Sequence, residues 1–458
     1  MITSLFRLIV KIAVSIFFRK IEVTNLEALP KKGPMIVAAN HPSTFMDASV
    51  VGSFLKQKPR FLVKGSLFNT AFSKWLLTNM RAIPVQRAQD SPDGKVDTSF
   101  LFSKCFERLA AGDTILIFPE GVSMHGRQLH KIKTGAARIA LGAEAANDFN
   151  LGMKIVTIGL NYSNPRLFRS DLYLTIKEPI EVKDWKELYL KDEREASKSL
   201  TEKIKEQLHD QIIITQDAEE DNLLEQIEDV YKGRLLEKFD ANPKDAEASF
   251  QASKGLEQAL RYFKETDADR VADLKNKLEN YFHNLDQLRL NDDLFENTQE
   301  RSSFLRAGLE QLGYLVLGFP VWLYGFLNNY LPYTLPSRLA YLISKEEGYI
   351  APIMMFIGTL TFPLFYSGQI WAIQKYIGIG WLTILYALAL PLTGFFTLAY
   401  WRNAQNTKDQ WTLFSKFYKK GDMVAKIIRQ RTEIVAVLDV AKLEYLAVLE
   451  TEEKDALS

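Results

Sequence analysis

Short apolar runs alternate with amphipathic stretches over residues 21–182 of this chain. The apolar runs have the length of strands, and the stretches between them place apolar side chains at helical spacing. Strand–helix alternation over this length predicts an α/β domain with a largely parallel or mixed sheet flanked by helices. The predicted strands are Met35–Ala39, Arg60–Val63, Ala82–Val85, Thr114–Phe118 and Ile155–Leu160, and the predicted helices are Phe45–Phe54, Ala71–Asn79, Phe100–Ala110 and Thr134–Ala146.

A mostly apolar segment, residues 4–18, precedes this domain and contains Arg7 and Lys11 one helical turn apart. The segment is short for a membrane span. Its two cations share one helical face, which is typical of a helix that lies in the membrane interface. We therefore predict an interfacial helix over residues 1–20, with an amphipathic helix that packs on the core as the alternative.

Residues 183–305 differ in character from the preceding domain. They are rich in Glu, Lys, Asp and Leu, and their apolar positions recur at helical spacing. This pattern predicts an amphipathic helical region of the hairpin or small-bundle type. Its role is either that of a solvated spacer or that of an arm that binds a partner.

Residues 306–401 are predicted to form the membrane region. Ile350–Trp371 and Trp381–Tyr400 carry no charge and are long enough to cross a hydrocarbon core of roughly 30 Å. Leu312–Pro336 is also apolar, but prolines interrupt it, and we do not expect it to cross completely. The polar helical tail, residues 402–458, has an excess of cations after the second span, which favours a cytoplasmic tail.

Two spans would place both ends of the chain on one side of the membrane, and Arg19 and Lys20 favour the cytoplasmic side for the α/β domain as well. The charge is nearly balanced, with 57 Lys and Arg against 56 Asp and Glu, so nothing indicates a nucleic-acid partner. The single cysteine, Cys105, excludes an internal disulfide and is expected to be a small core residue. Only five histidines are present, and we predict no metal site.

One turn in the α/β domain carries a pattern suited to acid–base chemistry. Residues 40–47 read NHPSTFMD, and five residues separate His41 from Asp47. This spacing allows the two side chains to meet across the turn. The carboxylate would then fix the tautomer of the imidazole, which would become a base able to accept a proton from a hydroxyl. Taken alone, the spacing also fits a polar turn with an exposed histidine.

Three further blocks follow strands of the predicted sheet, where the sites of α/β domains gather. Residues 61–68, FLVKGSLF, lead to residues 82–87, AIPVQR; residues 117–121, IFPEG, precede Arg127 and Lys133; and residues 156–162, VTIGLNY, precede residues 168–170, FRS.

In this order the four blocks resemble those of the phospholipid/glycerol acyltransferase superfamily, whose members acylate glycerol-3-phosphate or lysophosphatidate from an acyl thioester. The resemblance covers roughly residues 20–180. The gap between His41 and Asp47 is similar to that of a branch that includes fungal glycerol-3-phosphate/dihydroxyacetone-phosphate acyltransferases. That branch also carries helical regions and spans after the catalytic domain, which fits residues 183–401.

The resemblance implies that His41 and Asp47 are the catalytic pair, with His41 accepting the proton of the attacking hydroxyl. Direct transfer without an acyl-enzyme is the simplest scheme. A phosphorylated acceptor requires cations, and Arg87 and Arg127 are candidates for contacts with its phosphate. Lys64 is a further candidate, as is the lysine at position 133.

Glu120 lies in the turn of the F-P-E-G block, and three roles are open to it. Its carboxylate could bind an acceptor hydroxyl, hold the loop, or pair with a nearby Arg as a structural group. Gly121 would allow a tight turn and a close approach of the backbone. The family commonly has Thr and Arg after this glycine, whereas Val and Ser follow it here, which weakens the assignment of Arg127.

Together these expectations describe a multi-pass membrane enzyme of phospholipid synthesis, with its catalytic domain on the cytoplasmic face. It would transfer a fatty acyl group from acyl-CoA or acyl-carrier protein to glycerol-3-phosphate or 1-acylglycerol-3-phosphate among membrane lipids, without a cofactor. One alternative keeps the fold but changes the acceptor to another lipid alcohol or amine. A second is a membrane scaffold that uses residues 183–305 as an interaction arm.

Overall fold

The computed structural model describes residues 2–85, 99–123, 126–238, 245–296, 301–419 and 421–457. The chain forms two compact units. The first comprises Met1–Asp217 and Leu339–Thr359, and the second comprises Ala218–Arg338 and Leu360–Ser458.

The first unit is built on an eight-stranded mixed sheet. Its strands are β1 (Lys20–Thr24), β2 (Met35–Ala39), β3 (Arg60–Lys64), β4 (Ala82–Val85), β5 (Thr114–Ile117), β6 (Lys154–Tyr162), β7 (Asp171–Ile176) and β8 (Ile180–Glu181). Its helices are α1 (Ile2–Phe17), α2 (Phe45–Phe54), α3 (Ala71–Asn79), α4 (Ser99–Ala110), α5 (Gly135–Ala145), α6 (Lys186–Lys191) and α7 (Glu193–Gln211).

The strand order is β1-β7-β6-β2-β5-β3-β4, with β8 paired to β6. Strands β6, β2, β5, β3 and β4 run parallel to one another, β7 and β8 run antiparallel to β6, and β1 runs parallel to β7. The predicted α/β class with a mixed sheet is therefore confirmed. The five predicted strands and four predicted helices are present within a few residues of their expected ends, whereas β1, β7 and β8 are additional.

Both faces of the central strand β2 are buried, as expected of a parallel sheet covered by helices. Side chains alternate between the faces of a strand, so Ile36 and Ala38 pack on one side and Met35, Val37 and Ala39 on the other. Helices α4, α5 and α7 cover the first face, and helices α1 and α2 cover the second.

Helix α1 buries one apolar face and exposes another. Val14 and Phe17 pack against the sheet core, whereas Leu5, Leu8 and Ile12 are each about half exposed or more. The interfacial role of this helix stays a prediction, and its exposed apolar face is the observation that favours it.

Helices α6 and α7 extend the first unit beyond residue 182, where the sequence prediction ended the α/β domain. Leu200, Ile204 and Leu208 of α7 are buried in the same core cluster as α5. This packing explains why the compact unit continues to Asp217. Cys105 of α4 lies in this cluster as well; it is fully buried, and burial raises the pKa of its thiol to about 12.

The helices that follow the first unit are long. They are α8 (Ala218–Lys238), α9 (Ala246–Thr266), α10 (Ala268–Leu288), α11 (Asp293–Glu296), α12 (Arg301–Ile343), α13 (Glu347–Tyr376), α14 (Gly380–Lys419) and α15 (Gly421–Leu457). Within the second unit, α15 packs against α8, α9 and α10, so the tail at residues 402–458 shares a core with the helical region.

Two helical segments in the described part of the chain are long and apolar enough to cross a membrane, namely Gly348–Tyr376 and Gly380–Asp409. Only 6% of the most apolar 18-residue stretch of the second segment is buried within the protein, which is unusual for a core helix of a soluble protein. The segment predicted at Leu312–Pro336 lies inside the continuous helix α12. It is not among the described segments that are apolar enough to cross a membrane.

Prolines in α12 leave backbone carbonyls without a helical partner, and polar side chains compensate. Pro332 has no N–H to donate to the carbonyl of Asn328, one turn earlier. That carbonyl instead accepts a hydrogen bond from Nε2 of Gln369 at 2.9 Å. The amide of Asn329 reaches the neighbouring helix, where its Nδ2 donates to the carbonyl of Leu390 at 3.2 Å.

Candidate active site

The candidate residues lie at the carboxyl ends of the parallel strands. His41 comes two residues after β2, Lys64 ends β3, Glu120 follows β5 by three residues, and Tyr162 ends β6. Carboxyl ends of parallel strands meet at one edge of a sheet, where open α/β sheets place their ligand-binding crevice. The sheet therefore brings together residues that are far apart in the sequence.

His41 and Asp47 form the hydrogen-bonded pair that the sequence predicts. Nδ1 of His41 lies 2.8 Å from Oδ2 of Asp47. A hydrogen bond to a carboxylate requires the ring proton on Nδ1, so the neutral imidazole keeps Nε2 as its proton-accepting nitrogen. The imidazole stacks on the ring of Phe118, with centroids 3.8 Å apart and planes 8° from parallel. The pair and the stacked ring together fix the orientation of the base.

Two further donors hold the Asp47 carboxylate, which is completely buried. The backbone N–H of Ser43 donates to Oδ2 at 2.7 Å, and the hydroxyl of Tyr162 donates to Oδ1 at 2.6 Å. Burial and the charge of Asp47 raise the pKa of Tyr162 well above its usual range, so its hydroxyl stays a donor. Burying a carboxylate costs free energy unless its oxygens accept hydrogen bonds. Both oxygens of Asp47 accept them.

Glu120 joins the two loops on which the site is built. Its Oε1 accepts the backbone N–H of His41 at 2.9 Å, and its Oε2 accepts that of His130 at 3.1 Å. The residue is 4% exposed, and burial raises the pKa of its carboxyl. Of the roles that the sequence left open, these contacts correspond to holding the loop.

Backbone hydrogen bonds to other parts of the fold hold the turn that carries His41. The N–H groups of Ser43 and Thr44 are engaged by Asp47 and by Oγ of Ser123, the latter at 3.0 Å. Thr44 has φ 45° and ψ −122°, a strained conformation for a β-branched residue. Because these donors point into the fold, the oxyanion of a thioester would need donors other than residues 41, 43 and 44.

The first turn of α13 also contacts this loop within the first unit. Oγ1 of Thr44 donates to the carbonyl of Gly348 at 2.8 Å. The ring of Phe45 meets that of Tyr349 edge to face, with centroids 6.1 Å apart. The start of the first apolar helix is thus part of the support of the site.

The cations that the sequence predicts for the acceptor phosphate lie in different surroundings. Arg87 lies outside the described residues. Lys64 is half buried at the end of β3, and the carbonyl of Arg127 accepts the N–H of Thr215 at 2.7 Å. The side chain of Lys133 lies over Gly121, where a Cβ would come within 2.4 Å of Nζ.

Gly121 meets the conformation expected of it. Its φ of 71° is in the left-handed region, and its N–H closes a turn on the carbonyl of Phe118 at 3.0 Å. The turn and the absent Cβ bring the ammonium of Lys133 against the backbone. In the F-P-E-G block, Glu120 therefore holds two loops together, and Gly121 leaves room for the ammonium group of Lys133.

Tyr162, Phe118 and Ser123 are not among the residues that the sequence predicts for the site. Tyr162 lies in the fourth block, but 115 positions separate it from Asp47. Its role depends on β6 being the neighbour of β2, with Ala39 paired to Ile158. The sequence does show a tyrosine at the end of an apolar strand. It does not show that this strand lies beside β2, which is what brings Tyr162 to Asp47.

Known proteins share this domain. Residues 20–161 match the family model described as Acyltransferase. An alignment with glycerol-3-phosphate O-acyltransferase 1 of Saccharomyces cerevisiae is 31% identical and covers 45% of this chain. One with the chloroplastic 1-acyl-sn-glycerol-3-phosphate acyltransferase LPAT1 of Arabidopsis thaliana is also 31% identical and covers 28% of this chain.

These matches are partial on both sides. The aligned regions span 26% of the yeast protein and 35% of the plant protein. The crystal structure of the 1-acyl-sn-glycerophosphate acyltransferase PlsC from Thermotoga maritima aligns with 45% of this chain and 78% of its own, at 20% identity and a TM-score of 0.34. The region matched by the family model contains the His–Asp turn and the F-P-E-G block described above. Residues 20–161 are therefore similar to the acyltransferase family over the part of the chain that carries the candidate site.

Proposed function

We propose that this chain is a membrane-bound O-acyltransferase of phospholipid synthesis. It would transfer a fatty acyl group from acyl-CoA or acyl-carrier protein to the hydroxyl of glycerol-3-phosphate or 1-acylglycerol-3-phosphate. The observation that carries the proposal is the His41–Asp47 hydrogen bond of 2.8 Å at the carboxyl end of β2. The two relatives supply the acceptor class, since one is named for glycerol-3-phosphate and the other for its 1-acyl product.

The pair suits general base catalysis of acyl transfer. Nε2 of His41 takes the proton as the acceptor oxygen attacks the carbonyl carbon of the thioester. The imidazolium that forms is stabilised by the anionic Asp47, which keeps its hydrogen bond to Nδ1. When the carbon–sulfur bond breaks, the imidazolium returns the proton to the leaving thiolate. The products are the ester and the free thiol, and His41 is neutral again.

We propose separate roles for the polar residues around the pair. Glu120 acts as a positioning residue because both of its oxygens hold backbone N–H groups of the loops. Lys133 and Arg87 would bind the acceptor phosphate, with Lys64 and Arg127 as further candidates. Fixed cations of this kind recognise a phosphate dianion.

Membrane attachment is the remaining part of the proposal. The two apolar helices, Gly348–Tyr376 and Gly380–Asp409, would cross the bilayer. Helix α1 would rest in the interface through Leu5, Leu8 and Ile12. We propose a cytoplasmic location for the catalytic domain, since cations follow the second span.

The test is an acyl-transfer assay on the purified full-length chain. Glycerol-3-phosphate and 1-acylglycerol-3-phosphate are each offered with acyl-CoA and with acyl-carrier protein. His41→Ala and Asp47→Ala are expected to lower transfer at least about a hundredfold, the lower limit of the range for general acid–base catalysis. His283→Ala is the control, because His283 is an exposed residue of α10 in the second unit. Full activity of a folded His41→Ala protein would refute the mechanism.

Arg87→Ala tests the acceptor. A loss of transfer that is confined to phosphate-bearing acceptors supports a phosphate-binding role for Arg87. An equal loss with a neutral lipid alcohol would instead favour an acyltransferase for a different lipid acceptor.

A further inference from the structure

The loop between β5 and α5, residues 118–134, is long, and contacts within it join its two ends. Its described residues contain neither helix nor strand, and connections of this length are uncommon unless they serve a function. The N–H of Lys133 donates to the carbonyl of Pro119 at 2.9 Å, and the N–H of His130 donates to Glu120 at 3.1 Å. These bonds fix the base of the loop.

The middle of the loop is held by the segment that follows α7, residues 212–215, which we call the strap. The N–H of Thr215 donates to the carbonyl of Arg127 at 2.7 Å. Thr215 is 2% exposed and Ile212 is 5% exposed, so both ends of the strap are buried. A buried N–H has to be paired, and the carbonyl of Arg127 supplies the acceptor. The strap therefore fixes the backbone of Arg127 from beyond the region that matches the family model.

The start of the strap is anchored by Gln211, the last residue of α7. Its Nε2 donates to the carbonyls of Thr157 and Thr175 at 3.0 and 2.7 Å. Its own carbonyl accepts Nδ2 of Asn161 at 2.8 Å and Oγ1 of Thr175 at 3.1 Å. Gly159 allows this approach, because a Cβ there would lie 2.5 Å from the Cβ and the carbonyl oxygen of Gln211. Strands β6 and β7 therefore determine where the strap begins.

The two anchors of the strap lie on either side of the strand that leads to the catalytic base. Asn161 precedes Tyr162 at the end of β6, and Arg127 lies in the loop after β5. Strand β2, which leads to His41, lies between β6 and β5 in the sheet. The strap therefore connects the two neighbours of β2 at the edge of the sheet that carries the candidate site.

We propose that the strap positions Arg127 to bind the phosphate of the acceptor, and that Thr215 and Gln211 are positioning residues in acyl transfer. The inference rests on the function proposed above, in which Arg127 is a candidate for this phosphate. A guanidinium binds a phosphate through parallel N–H donors, so the direction of the side chain matters as well as its distance. Ordering a loop during binding lowers affinity. The strap orders the backbone of Arg127 before the acceptor binds.

The strap is expected to affect binding of the acceptor rather than transfer of the proton. His41 has supports of its own in Asp47, Phe118 and Glu120. These supports lie in the turn after β2 and in the first residues after β5, whereas the strap holds the loop further along the chain. Loosening the strap should therefore raise the KM for the acceptor and leave kcat and the KM for the acyl donor unchanged.

Kinetics of the purified full-length chain test the strap with the phosphorylated acceptor that it acylates, glycerol-3-phosphate or 1-acylglycerol-3-phosphate. Thr215→Pro removes the N–H that binds Arg127 and is expected to raise the acceptor KM about tenfold, which corresponds to the loss of about one hydrogen bond. Thr215→Ala keeps the N–H and loses only a hydroxyl whose contact with Arg127 is long, at 3.5 Å. Its KM should stay within about twofold of wild type. Equal KM values for the two variants would overturn the proposal.

A second pair of variants acts at the anchor and keeps the proposal testable if Thr215→Pro does not fold. Gln211→Met and Gln207→Met both remove hydrogen bonds between α7 and the sheet region, since Gln207 binds the hydroxyl of Thr157 and the carbonyl of Glu178. Both should lower the melting temperature, but only Gln211→Met should raise the acceptor KM. An equal rise in both variants would reflect stability alone and would overturn the proposal.

A double variant tests whether the strap acts through Arg127. Arg127→Gln is expected to raise the acceptor KM about tenfold, and adding Thr215→Pro should then raise it no further. Effects that multiply, or an acceptor KM that Arg127→Gln leaves unchanged, would overturn the inference. Either result would leave the proposed function standing, because His41→Ala tests that function separately.

Discussion

Replacing Tyr162 by phenylalanine removes one hydroxyl group from the site and leaves the ring that packs beside α1 in place. The hydroxyl donates to Oδ1 of Asp47 at 2.6 Å, and the carboxylate is completely buried. Hydrogen bonds to charged groups contribute about 1.5–3 kcal/mol each. We therefore expect Tyr162→Phe to lower the free energy of unfolding by about this amount.

The same bond affects the reaction, because the carboxylate that Tyr162 holds orients His41. A loss of about 1.5–3 kcal/mol from this support in the transition state corresponds to a ten- to hundredfold decrease in kcat. The KM for the acyl donor should change little, since the substitution alters the base rather than binding. An acyl-transfer assay in which the donor concentration is varied at saturating acceptor measures both constants.

The pH dependence of stability gives an independent readout. The pKa of Tyr162 is raised in the fold, so its contribution to stability is complete below the pKa of about 10 of an unfolded tyrosine and is lost as the pH rises above it. As the pH rises above about 10, the free energy of unfolding of Tyr162→Phe should therefore fall less than that of the wild type.

Tyr173→Phe is the matched control for both measurements. The Tyr173 hydroxyl accepts a hydrogen bond from Thr24 at 2.7 Å between β1 and β7, and neither residue contacts the His–Asp pair. A neutral bond of this kind contributes about 0.5–1.5 kcal/mol, and kcat should not change. If Tyr162→Phe retained wild-type kcat and lost no more stability than Tyr173→Phe, the proposed support of Asp47 by Tyr162 would be refuted.

Two further substitutions test other parts of the structure. Gly121→Ala and the control Gly152→Ala both place an alanine at positive φ, which costs about 1–2 kcal/mol, but only the first displaces Lys133. Both variants should lose similar stability in thermal unfolding, and only Gly121→Ala should raise the KM for a phosphorylated acceptor. Gln369→Leu should destabilise the chain by about 1 kcal/mol, and this effect should disappear with Pro332→Ala, which restores the helical N–H. An undiminished effect in the double variant would contradict the role given to Gln369.

The strands that the sequence predicts correctly are those with a strong local signal. Residues of β2 are apolar without interruption because both faces of the strand are buried. Strand β1, by contrast, reads KIEVT, lies at the edge of the sheet and is only partly buried. An edge strand with charged residues resembles a loop in the sequence, so β1 escapes a search for apolar runs.

The site is predictable where its residues are neighbours in the chain and unpredictable where the sheet joins them. His41 and Asp47 are six positions apart, and a turn alone brings them together. Tyr162 and Gly348, by contrast, reach the same turn from distances of 115 and 304 positions. Apolar periodicity identifies strands and helices but carries no information about strand order, on which the Tyr162 contact depends, or about which distant helix packs on the turn, on which the Gly348 contact depends.

The same contacts bear on which part of the chain folds around the chemistry. The family model matches residues 20–161, yet β1 inside that range pairs with β7, which lies beyond it. Helix α7 closes one face of the sheet, and the carbonyl of Gly348 accepts a hydrogen bond from the strained residue Thr44. A fragment ending at residue 161 would leave β1 without this neighbour and the turn without one of its supports. The unit that holds His41 in place is therefore discontinuous, and it includes the start of the first apolar helix.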